Sequence, residues 1–180
     1  MKKMILIFFV SVCFCGCMSS HPPLPKSWGK ISKESECPRL DGTYYNRGEI
    51  ARFPDDSTYL SRFLVSFDSN PISSPMLFIT VEQSENELLI IDNSHTLGTV
   101  HFNSQDCRGG FLKISVPNTE GLVTYKQAPV VTYAYKYIIL TKGEDGSIII
   151  LEGNKIFGFF LIMPGYSHNY YWHRFRIKAD

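Results

Sequence analysis

Apolar residues are distributed along this chain in two ways. Residues 4–14 form one nearly unbroken apolar run behind Lys2 and Lys3, and polar residues take over from Ser19. From Met76 onward apolar and polar positions alternate with a period of two, in short runs separated by Gly, Asn, Asp and Pro. That period puts successive side chains on opposite faces of a strand. It predicts strands over 76–82, 87–92, 99–103, 111–116, 122–127, 131–141, 147–152, 155–163 and 170–178, after a first strand over 41–47. Turns are expected at 83–86, at 142–146 and at Gly153-Asn154, with a Pro/Ser loop over 70–75. One segment breaks the pattern. Within 54–65, Leu60, Phe63 and Leu64 share a face at helical spacing, and Asp56 or Ser57 is placed to cap a helix. The fold class that follows is all-β, an antiparallel up-and-down β-barrel of about eight or nine strands with one short helix.

The leading apolar run falls short of the roughly 20 residues a spanning helix needs, but it has the length of a signal-peptide core. Cys13, Cys15 and Cys17 are preceded by Val12, Phe14 and Gly16. The basic start, the apolar run and the Gly16-Cys17 step resemble the signal of bacterial lipoproteins, in which a small residue precedes the cysteine that is acylated. The resemblance implies a signal peptide over 1–16, lipidation at Cys17 and attachment to a membrane through acyl chains such as palmitate. Each buried CH₂ of such a chain contributes about 0.8 kcal/mol. It also implies a place in the cell envelope. Met18, not Asp, follows Cys17, which in such lipoproteins goes with transport to the outer membrane, facing the periplasm. The alternative is an ordinary secretory signal with a cysteine near the cut.

Residues 17–36 read as a tether, rich in Ser and Pro, with only Leu24, Trp28 and Ile31 large and apolar beyond the cleavage step. Trp28 is expected to make a local packing contact. The folded domain is expected over 37–180. Loss of residues 1–16 removes Lys2 and Lys3 and leaves 16 Lys+Arg against 17 Asp+Glu, a net charge of −1. Such a chain has no basic footprint for nucleic acid and no polybasic patch for anionic lipid. Cys37 and Cys107 then remain as an even pair, which in an oxidising compartment predicts a disulfide over two free thiols.

The segment Cys37-Pro-Arg-Leu40-Asp-Gly42-Thr-Tyr44-Tyr-Asn46-Arg-Gly48 resembles the opening strand of avidin-like barrels, which share the Gly-x-aromatic element with lipocalins. It is similar as well to the opening of small bacterial lipoproteins. The resemblance implies a calycin-type barrel whose last strand returns beside the first, with Trp172, Arg174 and Arg176 near the closure. Biotin binding is not implied. Asn46 is the only residue of ligand type that aligns, and Trp172 is the one Trp after the tether.

Catalytic patterns are missing. Gly165-Tyr-Ser167-His-Asn169 lacks the last Gly of a nucleophile elbow, and no zinc-protease, EF-hand or P-loop spacing occurs. His95 and His101 are spaced for one strand face, whereas His168 and His173 are spaced for opposite faces. Asp55-Asp56 and Glu144-Asp145 fall where turns and caps account for them. No metal or cofactor is expected, and the reading is non-enzymatic. The most distinctive cluster lies after Pro164-Gly165. Tyr166, His168, Tyr170, Trp172 and Arg174 are the candidate surface for a ligand or partner, in a loop leading into the last strand. Tyr125, Tyr133, Tyr135 and Tyr137 alternate and are expected to form one barrel face, which would line a cavity if turned inward. The expected role is a membrane-anchored module that binds an envelope protein or supports envelope assembly. The alternatives are a small-ligand barrel or envelope enzyme inhibitor and, behind these, an envelope hydrolase marked by His168 or His173 beside a carboxylate.

Overall fold

The computed structural model describes residues 23–32, 34, 36–65, 76–93, 95–115, 121–124, 130–160 and 163–179. The leader, Cys17, the 70–75 loop, Tyr125 and Pro129 lie outside these residues.

Among the described residues the chain is all-β apart from one short helix, α1 (Leu60–Leu64), and two 3-10 turns at Lys26–Trp28 and Ser104–Asp106. The strands are β1 (Gly42–Tyr45), β2 (Arg47–Ile50), β3 (Phe53–Tyr59), β4 (Phe78–Gln83), β5 (Glu87–Asp92), β6 (His95–His101), β7 (Cys107–Arg108), β8 (Phe111–Ser115), β9 (Gly121–Thr124), β10 (Val130–Lys142), β11 (Ile148–Phe160) and β12 (Met163–Phe175). They pair antiparallel in two sheets, β1-β4-β5-β6 and β3-β2-β12-β11-β10-β8-β7, with β9 also on β10. Neither sheet closes on itself. They meet where Asn46 separates β1 from β2, and where the chain end runs beside β1. There Tyr44 bridges Ile177, Tyr45 N–H donates to Arg176 O at 3.0 Å, and Lys178 N–H donates to Thr43 O at 2.8 Å.

Alternation turns one face of each sheet into a single core. Tyr44, Ile79, Leu88 and Ile90 come from the first sheet, Leu112, Leu140, Ile150 and Phe175 from the second, and Leu60, Phe63 and Leu64 from α1. The expected disulfide joins Cys37 to Cys107 across a separation of 70 residues, packed against that core.

Several local expectations are corrected. Residues 53–59 are a strand, with Glu49 opposite Ser57 and Gly48 opposite Thr58, so Ser57 is a ladder residue, Asp56 lies in the irregular stretch between Phe53 and Ser57, and neither caps the helix. The helix starts only at Leu60, and its first N–H groups are satisfied by a distant residue. Asn46 O accepts Leu60 N–H at 2.8 Å, and Asn46 Oδ1 accepts Ser61 N–H at 2.9 Å. Gly153-Asn154 is not a turn, because β11 runs straight through it. A Cβ on Gly153 would sit 2.2 Å from Cζ of Tyr137, so this glycine makes room for a ring lying across the strand. β12 begins at Met163, which places His168 within a strand and not in a loop.

The chain ahead of Cys37 also takes part in the fold. Leu24, Trp28 and Ile31 pack on Ile149, Leu151 and Trp172, on the face of the large sheet turned away from the core. Ser32 N–H donates to Lys142 O at 2.8 Å and Glu144 N–H to Lys30 O at 3.0 Å. Trp28 is thus buried by long-range contacts and not by local ones.

Candidate functional site

Strands β10, β11 and β12 are 13 residues each, longer than any other strand described. Their register sorts the core-facing side chains into rows. Leu140, Ile150 and His173 form one row, Ile138, Glu152 and Tyr171 the next, and Lys136, Asn154 and Asn169 the next. The same face therefore passes from apolar to polar within three rows. A cleft of about 410 Å³ opens there, lined by the polar members of these rows together with Arg62 of α1, Ile50 and Phe53.

Glu152 organises the cleft. Lys136 Nζ lies 2.6 Å from Oε1, Arg62 Nη2 3.8 Å from Oε1, and His173 Nε2 3.2 Å from Oε2. Burial alone would raise the Glu152 pKa. The contacts from His173 and Lys136, with the charges of Lys136 and Arg62, outweigh it and hold the carboxyl near about 2. His173 is 3 % exposed and packs on Phe63 at a tilt, with ring centroids 4.7 Å apart. Its Nε2 meets Glu152 at 3.2 Å, and its Nδ1 has no hydrogen-bond partner among the described residues.

The opposite face of β12 carries Tyr166, His168, Tyr170, Trp172 and Arg174, which alternate along it. The first three come together. Tyr166 and Tyr170 hydroxyls both meet His168 Nδ1, the former at 3.1 Å, and the Tyr137 hydroxyl meets Nε2 at 2.9 Å. Tyr135 stacks on Tyr137 at 5.9 Å, with Lys113 Nζ 5.7 Å from both ring centroids and Lys155 Nζ 5.5 Å from that of Tyr137. Burial, reinforced by Tyr170, Tyr166 and Tyr135, pushes the Tyr137 hydroxyl up to about 12. Tyr135 and Tyr137 thus face away from the core and do not line its interior, while Tyr125 and the Tyr133 side chain lie outside what the structure describes. Trp172 and Arg174 have other places. Trp172 lies beneath the N-terminal segment, and Arg174 pairs with Asp145 in the β10–β11 turn. Asp145 also accepts the Ser147 hydroxyl at 2.6 Å, the local role expected of a turn carboxylate.

The remaining candidates stand apart. Asn46 is buried and fully engaged, its Nδ2 donating to Met76 O at 3.2 Å, so it belongs to the scaffold. His95 and His101 are exposed at the two ends of β6, across a register shift in the β5–β6 ladder. Among the described residues no three His, Cys, Asp or Glu side chains converge as a metal site. The cleft residues were hidden by the misplaced turn at Gly153-Asn154. The signal for them was the i, i+2 spacing of Glu152 and Asn154, continued by Asn169, Tyr171 and His173. Compared with protein-family models, curated proteins and solved structures, the chain matches none.

Proposed function

We propose that this protein is a lipid-anchored module of the cell envelope that binds a partner protein and does not catalyse a reaction, its two sheets acting as one incompletely closed barrel. Strand order supports the barrel. Antiparallel neighbours run β6, β5, β4 and β1, cross the Tyr44–Ile177 bridge to the end of β12, and continue through β11, β10, β8 and β7. Together the two sheets contribute side chains to a single core. Its place at the outer membrane follows from the lipoprotein-like leader and acylation of Cys17.

The observation that carries the binding role is the tyrosine and histidine cluster on β10–β12, with Tyr166 57 % exposed beside His168. Flat rings give contact area at low entropy cost, and their hydroxyl and imidazole groups supply directed hydrogen bonds. The pair His173–Glu152 is what a hydrolase reading would use. Among the described residues no serine, threonine or cysteine lines that cleft, so the pair has no side-chain nucleophile there to activate, which supports the non-catalytic reading. The test is a photo-cross-linker placed in cells at Tyr166 and, as control, at Tyr59, in wild-type and Cys17→Ala backgrounds. A discrete adduct from Tyr166 alone, lost with Cys17→Ala, is expected, along with an acyl mass on Cys17. Identical adducts from both positions, or none, would remove the proposed surface.

A further inference from the structure

We infer that the cleft at the polar end of the core seats a small sugar acid, with Arg62 receiving its carboxylate and Asn154 and Asn169 its hydroxyls. This inference rests neither on the anchor nor on the outer aromatic face.

Beyond its apolar rows the core side of the long strands carries Lys136, Glu152, Asn154 and Asn169 on consecutive rows, at an open end where Asn169 is exposed and the other three are half-buried. Lys136 and Glu152 neutralise each other at 2.6 Å. Arg62 then leaves the lining with one positive charge in excess, and its side chain is 60 % exposed at 3.8 Å from Glu152. A planar guanidinium presented this way takes a carboxylate through paired N–H donors.

Asn154 and Asn169 are direct partners across β11 and β12. Each amide offers one acceptor and two donors, which suits neighbouring hydroxyls that both give and take hydrogen bonds. At the lip, Phe53 is 47 % exposed and its ring lies 6.3 Å from that of Tyr171. An exposed aromatic plate beside paired amides fits the C–H face of a sugar ring. His173 Nδ1, buried behind the wall of the cleft, has no hydrogen-bond partner among the described residues. About 410 Å³ lies within the range of small-molecule sites and accommodates one or two sugar rings.

Full-length acylated protein in a sugar-free detergent would be titrated by calorimetry with glucuronic acid, glucose, acetate and inorganic phosphate. Glucuronic acid is expected to bind saturably and at least tenfold more tightly than each of the other three. Arg62→Gln, at an exposed position, should melt like wild type and abolish the preference for glucuronic acid over glucose. Asn169→Ala should weaken both sugars by about tenfold. Absence of saturable glucuronic acid binding, phosphate or acetate binding as tightly as the sugar acid, or a preference that survives Arg62→Gln would each overturn the inference.

Discussion

The side-chain oxygen of Asn46 accepts the backbone N–H of Ser61 at 2.9 Å, so a residue between two strands caps a helix 15 positions away. The same amide donates to Met76 O, and the whole side chain is buried. Asn46→Ala would leave a buried donor and a buried acceptor unsatisfied, each costing about 1–3 kcal/mol. Urea denaturation should show a loss on the order of 3 kcal/mol, with helix α1 exchanging amide protons first. A loss below about 1 kcal/mol would mean that water or another group takes over the cap.

Gly153 and Tyr137 are expected to be coupled. Gly153→Ala puts a Cβ 2.2 Å from Cζ of Tyr137, which drives the ring off β11 and away from His168. The substitution should destabilise by about 1–3 kcal/mol in the wild type. In a Tyr137→Ala background its cost should nearly vanish. A double-mutant cycle measures that difference, and additive effects would show that the ring does not constrain the strand.

Glu152 sets an acid limb for stability. Its pKa in the folded state is lowered from 4.5 to about 2 by the groups around it. The unfolded chain therefore binds a proton more readily, and the contribution is complete above pH 4.5 and lost as pH falls through about 2. It amounts to something on the order of 3 kcal/mol. Denaturation midpoints should fall between pH 5 and pH 2, and Glu152→Gln should flatten that limb while lowering stability at neutral pH. An unchanged acid profile in Glu152→Gln would assign the limb to other carboxylates.

The Cys37–Cys107 bridge closes a loop of about 70 residues, for which chain entropy gives roughly 4 kcal/mol. The double Ser variant should lose several kcal/mol in urea denaturation, and reduction of the wild type should reproduce that loss. Equal stability with and without reductant would show that core packing alone holds Cys37 in place.

Trp28→Ala removes the main anchor of the N-terminal segment on Ile149, Leu151 and Trp172. Limited proteolysis should then cut ahead of Ile31 well before the sheets are attacked. Cleavage at wild-type rates would show that Leu24 and Ile31 hold the segment unaided.

What could be read from the chain was whatever depends on neighbours in sequence. The alternation of apolar and polar residues determined the all-β class, since period two has only one regular solution. The pairing of Cys37 with Cys107 followed from their even count, the 142–146 turn from its Gly, Glu and Asp, and the opposite faces of His168 and His173 from parity alone. Tertiary structure decided what depends on which strand lies next to which. Residues 53–59 became a strand because β2 was there to pair with, and α1 was capped from Asn46 because the fold brings that amide to Leu60 and Ser61. Gly153 passed for a turn because its real cause, the ring of Tyr137, comes from another strand. The Glu152 cleft was invisible for the same reason. Its residues stand on five strands and one helix, and only the register of the ladders makes them a site.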